Sequence, residues 1–203
     1  RQAVGNLGKV RRVSRTLGAF PPVGAIVLFD GSDTEQFQDA KTTAEGLLEA
    51  GPVTKMPLSD FQLHLEFKVP YMPLARDQAR GNSGVYVQLR YEVQILDSFG
   101  LAPLANGCAA LYRQQRPDLN MCFPPLAWQT FDIHFTAPRW NDQGQKTADA
   151  RITVLHNGVR VHNDRVVATK TGAGKEEGPE HLPLRLQFHG NPVQFRNIWL
   201  VVK

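Results

Sequence analysis

Apolar and polar residues alternate along two adjoining segments, residues 84–89 and 91–96, with the two-residue period of strands that bury one face. The apolar positions are Val85, Val87 and Leu89 in the first segment and Val93 and Ile95 in the second. The positions between them carry aromatic, amide, guanidinium and carboxylate side chains: Tyr86, Gln88, Arg90, Glu92 and Gln94. The pattern predicts two neighbouring strands whose second face differs from the Lys, Thr and Ser face of an ordinary solvated sheet.

Strand patterns recur along the rest of the chain. Asn157-Gly158 joins two of them and supplies the two positive-φ residues of a type I′ hairpin turn. Short helices are expected only at Asp33–Phe37 and Thr42–Leu48. The other strand-like runs cover residues 25–29, 61–69, 109–112, 128–136, 151–156, 159–163, 184–188 and 195–202. Many strands separated by long loops rich in Gly and Pro predict an all-β sandwich or barrel, and loops of this length are usually functional.

The composition fits one folded domain that follows a basic segment. The chain has 203 residues, of which 42% are hydrophobic and 21% charged. This length is sufficient to bury a sizeable core. The net charge of +4 comes largely from basic residues in the first twenty positions, where no acidic residue occurs. We therefore predict a solvated, partly mobile arm over residues 1–20 and a folded domain over residues 21–203.

Several classes of partner and site are not expected. The chain contains no run of 18 apolar residues, so it should have no membrane span. Basic residues are not interleaved with aromatic ones on a folded face, so no nucleic-acid partner is expected. No signal peptide is visible in this chain. Cys108 and Cys122 lack histidines at ligand spacing, which argues against zinc. They either form a disulfide that closes one loop or remain two buried free thiols.

Glu92 and Asp97 are the first candidate acid–base pair. The stretch from Glu92 to Asp97 resembles the E-x-D-x-x-E strand of retaining β-glucanases, which need two carboxyl groups roughly 5–5.5 Å apart. Residues five positions apart point to opposite faces of a regular strand, so a bulge near Leu96 would have to bring them together. The middle carboxylate is here an amide, Gln94, which weakens that interpretation. Asp97 can instead cap the following turn, and Glu92 can be an exposed cross-strand partner.

A second group of candidates surrounds His189. Gln187 and His189 share one face of a predicted strand, and a histidine at a strand end is well placed to titrate near neutral pH. Arg196 follows closely and could clamp a hydroxyl or a developing oxyanion. Each also has a structural interpretation, in a fixed hydrogen bond or a salt bridge. Stacking or hydroxyl-binding roles are candidates for Tyr86, Tyr112 and Asn82. Together these side chains are typical of a sugar-binding cleft.

Eight short segments carry a resemblance to a known family. They are Leu28-Phe29-Asp30-Gly31, Ser59-Asp60-Phe61, Asn82-Ser83-Gly84-Val85, Tyr91–Asp97, Trp128–Ile133, Asn157-Gly158, Leu186–Gly190 and Phe195–Trp199. In this order they resemble the 3-keto-disaccharide hydrolase domain family, and the resemblance runs from about Ala25 to Lys203. Phe188 stands where members often carry Asp, which removes a carboxylate that could orient His189. Phe37 stands where a Trp is usual.

The resemblance implies a fold and a reaction. The family is similar to concanavalin-A-like jelly rolls of the lectin and glucanase type, with two antiparallel sheets, and most members are exported bacterial proteins. Their substrates are glycosides already oxidised to a ketone at C3 of the sugar. The ketone acidifies the C2 proton, so a base can remove it and the C1 substituent can leave by elimination. Water then adds to the enone. We therefore expect a periplasmic or extracellular hydrolase or lyase that binds an oligosaccharide or glycoside.

The expected site follows from these residues together. Glu92 and His189 share the acid–base work, and Asp97 supports the site. The sugar and the enolate are held by Asn82, Tyr86, Gln94, Tyr112, Gln187 and Arg196. No cofactor is expected, although a divalent cation could assist enolate formation. Two rival functions stay open: a non-catalytic carbohydrate-binding module that uses the same face, and a conventional retaining β-glucanase that uses Glu92 and Asp97. The sequence does not predict the oligomeric state.

Overall fold

The computed structural model describes residues 12–203 and consists of antiparallel strands. The strands, numbered along the chain, are β1 (Ile26–Phe29), β2 (Phe37–Gln38), β3 (Leu48–Glu49), β4 (Val53–Thr54), β5 (Phe61–Lys68), β6 (Ser83–Val87), β7 (Tyr91–Ile95), β8 (Trp128–Thr136), β9 (Arg139–Trp140), β10 (Lys146–Ala148), β11 (Ala150–His156), β12 (Val159–Val167), β13 (Arg185–Leu186) and β14 (Gln194–Val202).

Two sheets account for all of these strands except β9 and β10, which form a separate ribbon. The larger sheet has seven strands in the order β1-β14-β5-β8-β11-β12, with β3 paired to β14. The smaller sheet has five strands in the order β2-β4-β13-β6-β7. The predicted all-β, two-sheet antiparallel jelly-roll sandwich is confirmed.

The core lies between the two sheets because each strand turns its apolar positions inward. Leu63, Leu65 and Phe67 of β5 lie in the same buried cluster as the valines and isoleucine of β6 and β7, which are Val85, Val87, Val93 and Ile95. Burying a side chain of this size contributes roughly 1.5–3 kcal/mol. The alternate positions of β6 and β7 therefore lie on the outer face of the smaller sheet, where Tyr86 faces Glu92 across the hairpin.

A tight turn joins β6 to β7. Gln88 and Leu89 have φ values of 50° and 53°, and the Arg90 N–H donates to the Val87 carbonyl at 3.0 Å. This is the type I′ geometry that matches the twist of a hairpin, here without glycine. The predicted strand over residues 84–89 therefore ends two residues early. Arg90, predicted on the polar face, is buried and binds the carbonyl oxygens of Glu176 and Glu180.

The two predicted short helices are wrong. Residues 33–36 form a turn in which Asp33 accepts from the Glu35 N–H at 2.8 Å. Residues 42–48 form a tight turn, closed by the Thr43 N–H donating to the Leu47 carbonyl, with Gly46 at a φ of 75°. Side-chain and turn hydrogen bonds here replace the helical ladder. Within residues 12–203 the sole helical element is one 3₁₀ turn at Asp77–Ala79, and no helix there is long and apolar enough to cross a membrane.

The end of the predicted N-terminal arm packs on the outer face of the larger sheet. Thr16 Oγ1 donates to Asp132 at 2.8 Å, the Gly18 N–H donates to Glu66 at 2.6 Å, and the Trp199 indole donates to the Ala19 carbonyl at 3.1 Å. The prediction of a solvated arm is therefore wrong for residues 14–19, because their polar groups pair with polar groups of β5, β8 and β14. Residues 1–11 of that arm lie outside the described residues.

Cys108 and Cys122 are both buried, and the structure has them as free thiols. The Cys122 thiol lies 3.5 Å from the Leu96 carbonyl and 3.4 Å from that of Phe123. Burial raises the pKa of the Cys108 thiol. Of the two alternatives left open by the sequence, the structure has the pair of buried thiols.

Candidate functional site

A cavity of about 370 Å³ lies over the outer face of the smaller sheet. Its walls come from β6, β7, the segment after β13 and three of the long loops. Seven of the eight residues predicted for catalysis or substrate binding line it: Asn82, Tyr86, Glu92, Gln94, Tyr112, Gln187 and His189. The outer face of the hairpin and the segments that pack around it therefore bring side chains that are distant in sequence to one cavity.

Glu92 lies at the centre of this wall and is only 3% exposed. The Tyr86 hydroxyl donates to its Oε2 atom at 2.7 Å. Gly84 leaves room for the carboxylate, since a Cβ atom there would collide with Oε1 of Glu92. Burial raises the pKa of Glu92 to about 7, although the hydrogen bond from Tyr86 and the charge of Arg185 both lower it. The group therefore exchanges a proton readily near neutral pH.

Three amide oxygens in the cavity wall accept no hydrogen bond from residues 12–203: Asn82 Oδ1, Gln94 Oε1 and Gln187 Oε1. The amide nitrogens of two of these residues are already engaged with Gln78. Asn82 Nδ2 donates to the Gln78 carbonyl at 2.7 Å, and Gln94 Nε2 donates to Gln78 Oε1 at 3.0 Å. Buried acceptors without donors are costly. The cavity thus suits a ligand that presents several hydroxyl groups.

A glycine-rich loop, residues 171–174, closes one side of the cavity. Thr171 Oγ1 accepts from the Glu92 N–H at 2.6 Å, which ties this loop to β7. A Cβ atom at Gly172 would lie 2.9 Å from the Tyr112 ring, and one at Gly174 would collide with the Arg90 carbonyl. The two glycines are therefore required for the close approach of the loop to the hairpin.

His189 and Tyr112 form the more open side of the site. His189 is exposed and lines the cavity, while Tyr112 is half-buried. The Tyr112 hydroxyl donates to Gln78 Oε1 at 3.4 Å, and the Arg113 guanidinium lies 5.4 Å from the centre of the Tyr112 ring. Within residues 12–203, no group of three or more His, Cys, Asp or Glu side chains is arranged to hold a metal ion.

Arg196 is the predicted binding residue that the structure does not bring to the cavity. It lies on β14 in the larger sheet, where its Nε atom donates to Glu66 at 2.7 Å and its guanidinium stacks over Trp128 at 4.0 Å. The expectation that Arg196 lies in the same cleft as the other seven residues is therefore wrong. The chain crosses from one sheet to the other between His189 and β14, so closeness in sequence does not become closeness in space.

Asp97 also lies outside the cavity. Its carboxylate pairs with the Arg80 guanidinium at 3.2 Å and accepts from the Phe99 N–H at 3.4 Å. These contacts fix the turn after β7 and the loop that carries Gln78. The position is compatible with the predicted supporting role. Asp97 and Glu92 do not face a common space, which removes the geometry that a glucanase pair requires.

The sequence interpretation did not predict a site role for five residues that shape the site. Gln78, Arg113, Gly172 and Ala173 line the cavity from loops, and Arg185 stacks on the Tyr86 ring at 4.4 Å. Arg185 alternates with Gln187 along one strand face, which was a usable signal. The four loop residues belong to long loops, and no local pattern assigns them to a sugar site.

Comparison with solved structures gives three crystal structures of Parabacteroides distasonis proteins, each named a putative glycosyl hydrolase. One is 31% identical to this chain, with a TM-score of 0.79 over 90% of this chain and 85% of that chain. Another is 22% identical, with a TM-score of 0.59 over 88% and 99% of the two chains. A third is 17% identical, with a TM-score of 0.61 over 88% and 93%. The last two show the shared fold alone.

A search among curated proteins gives no significant match. A family model, described as the 3-keto-alpha-glucoside-1,2-lyase-like domain, matches residues 24–201. This span covers both sheets and every residue that lines the cavity. The chain therefore belongs to the 3-keto-alpha-glucoside-1,2-lyase-like domain family.

Proposed function

We propose that this protein cleaves 3-keto-glycosides by elimination followed by hydration. A glycoside hydrolase-type function is supported by the family and by the names of the related structures. The observation that carries the finer proposal is the buried carboxyl group of Glu92, whose pKa of about 7 suits a base that takes up a proton and returns it at neutral pH.

The chemistry needs one base near C2 of the sugar. Glu92 takes the C2 proton, and the electron pair left on carbon is delocalised onto the C3 ketone oxygen as an enolate. When the enolate collapses, the C1–O bond breaks and the leaving oxygen acquires a proton. Water then adds to C1 of the enone, and a proton returns to C2. No step forms a bond between the sugar and the protein, so a second carboxylate is not required.

The amide-rich wall supports the same substrate class. The unpartnered oxygens of Asn82, Gln94 and Gln187 would accept from the remaining sugar hydroxyls. Tyr112 offers an aromatic surface at the open side, and His189 is near enough to the mouth of the cavity to assist proton transfer with solvent. A divalent cation that assists enolate formation is a further proposal, for which Glu92 is the one carboxylate among residues 12–203 that lines the cavity.

Two rival functions fit less well. A retaining β-glucanase would need a second carboxylate within about 5.5 Å of Glu92, and Asp97 is engaged with Arg80 outside the cavity. A non-catalytic sugar-binding module would gain little from a buried carboxyl group whose burial raises its pKa to about 7, because a neutral amide would bind hydroxyls at lower cost.

The test is aglycone release from 4-nitrophenyl glucoside and from its 3-keto derivative. Turnover of the keto form alone supports the proposal. Turnover of the plain glucoside would instead favour a glucanase, and binding of either compound without turnover would favour a binding module. Glu66→Gln is the matched control for the variant Glu92→Gln, since Glu66 is equally buried but lies on the other sheet.

A further inference from the structure

The Tyr86 side chain is held more tightly than sugar stacking requires. It is 1% exposed, and its hydroxyl donates to Glu92 at 2.7 Å. Arg185 lies on the neighbouring strand β13, where it pairs with Tyr86, and its guanidinium is 4.4 Å from the centre of the Tyr86 ring. The backbone of Ala173, in the glycine-rich loop, lies near the hydroxyl and lowers its pKa. Three separate elements therefore converge on one phenol that lines the cavity.

These contacts suit a group that gives up a proton. Burial and the nearby charge of Glu92 raise the pKa of Tyr86, so its hydroxyl is protonated at neutral pH. The Arg185 charge and the Ala173 backbone act in the opposite direction, because both stabilise a phenolate. Tyr86 is thus kept protonated before reaction, with two groups already in position to stabilise the anion that forms when it donates.

His189 is the rival for this task. It is exposed at the mouth of the cavity, and residues 12–203 give its ring no hydrogen-bond partner. A general acid works best when its orientation is fixed relative to the departing oxygen. Tyr86 meets that condition and His189 does not.

We propose that Tyr86 is the general acid that protonates the leaving oxygen at C1, an inference that rests on the proposed function. Glu92 first takes the C2 proton, and a protonated carboxyl group is a weaker acceptor for the Tyr86 hydroxyl. The hydroxyl is then free to turn to the leaving oxygen. As the C1–O bond breaks, the Tyr86 proton passes to that oxygen and leaves a phenolate beside Ala173 and Arg185.

The hydration step restores both groups. The phenolate of Tyr86 takes a proton from the water that adds to C1, and the protonated Glu92 delivers a proton to C2. The enzyme therefore ends each cycle in the protonation state in which it began, without an external acid, base or oxidant. One buried pair of side chains would serve both halves of the reaction.

The experiment measures kcat/KM for Tyr86→Phe on a series of 3-keto-glycosides whose leaving groups range from 2,4-dinitrophenol to a second sugar. A good leaving group departs as an anion and needs no acid, whereas a sugar alkoxide needs a proton. We expect Tyr86→Phe to reduce kcat/KM on the order of 10²–10⁴-fold for the disaccharide and far less for the dinitrophenyl compound.

Two control variants separate this role from a structural one. Tyr91→Phe removes an equally buried hydroxyl from the same hairpin, which donates to Glu177 at 2.9 Å outside the cavity. Any effect of Tyr91→Phe should be the same for every leaving group. His189→Ala should likewise show no dependence on the leaving group.

Three results would overturn the inference. One is a uniform loss across the series in Tyr86→Phe, which is what a positioning role would give. Another is a leaving-group-dependent loss in His189→Ala instead. The third, should Tyr86→Phe fail to fold, is a wild-type rate that falls steeply with leaving-group basicity, which would mean that no general acid acts. If the wild type releases nothing from any 3-keto-glycoside, the proposed function itself fails and this inference fails with it.

Discussion

Two buried glutamates on opposite sheets show how the same side chain can serve structure or chemistry. Glu66 on β5 and Glu92 on β7 are 1% and 3% exposed. Burial alone would raise the pKa of Glu66, but the His64 ring, 3.9 Å from its Oε1 atom, and hydrogen bonds from Asn197, the Gly18 N–H and Arg196 outweigh it and lower the pKa to about 2. Glu92 receives one side-chain hydrogen bond, from Tyr86, and its pKa is raised to about 7.

The difference lies in how many donors each carboxylate has, since both are removed from water to a similar degree. Glu66 is a permanent anion that anchors the N-terminal segment and Arg196 to the larger sheet. Glu92 has too few hydrogen-bond donors to stabilise its charged form fully, and it lines the cavity. An under-satisfied buried carboxyl group is therefore the better guide to a reactive site than burial or sequence position.

The largest expected effect separates the two residues by activity. Glu92→Gln should lower kcat/KM on a 3-keto-glycoside by at least about 10²–10⁴-fold, because it removes the base while keeping the shape of the side chain. Glu66→Gln should have little effect on kcat/KM under conditions in which it stays folded. Equal losses in the two variants would show that Glu92 matters only for the fold.

The second prediction concerns stability, for which Glu66 is the residue that stabilises the fold. Glu66→Gln should destabilise the protein at pH 7 by about 2–3 kcal/mol, because the folded state binds the Glu66 anion more favourably than the unfolded state does. The stabilisation from Glu66 is present above the unfolded pKa and is lost as pH falls from about 4.5 towards about 2. Urea unfolding at pH 7 and pH 3 checks this, and the gap between variant and wild type should narrow at pH 3.

The third prediction is that Glu92→Gln changes the stability of the protein in the opposite direction. The folded protein holds the Glu92 proton up to about pH 7, whereas the unfolded chain releases it near pH 4.5. Stability is therefore lost as pH rises through this window. At pH 8 the variant should be more stable than the wild type by about 2 kcal/mol, and near pH 4 the two should be alike. Thermal unfolding at both pH values gives the measurement, and a Glu92→Gln protein less stable at pH 8 would contradict the electrostatic interpretation.

The smallest predicted effect concerns Arg185. Its charge lowers the pKa of Glu92, so Arg185→Gln should move the midpoint of the rise in kcat/KM with pH to a higher value. Arg151→Gln is the control, because Arg151 forms an exposed pair with Asp164 on the larger sheet. A midpoint that stays in place in Arg185→Gln would show that the guanidinium does not act on Glu92.

The sequence predicted the hairpin wall of the site because a two-residue period fixes which side chains share a face. Tyr86, Glu92 and Gln94 follow from alternation alone, and the same alternation identified Gln187 and His189. The predicted position of Arg196 in the same cleft was wrong for a related reason. Register shifts between Arg196 and Trp199 in the β14–β5 pair, and the chain has changed sheets before it reaches β14.

Loop and terminal contributions could not be predicted in the same way. Gln78 and Ala173 reach the cavity because of contacts made far away in sequence, such as Arg90 with the carbonyls of Glu176 and Glu180. The N-terminal segment was predicted to be solvated because the sequence shows its basic residues but does not show which groups of the larger sheet its polar atoms contact. Long loops and chain ends take their conformation from tertiary contacts, which local patterns do not encode.

The most direct measurement is the fate of the C2 hydrogen when a 3-keto-glycoside is cleaved in D₂O. If Glu92 removes the C2 proton and exchanges it with solvent before a proton returns to C2, cleavage in D₂O places deuterium at C2 of the released 3-keto sugar, beyond the exchange seen when that sugar is incubated without protein. A product that keeps its original C2 hydrogen, together with no slowing of cleavage when C2 of the substrate carries deuterium, would contradict elimination and would mean that the glycosidic bond is broken by direct displacement.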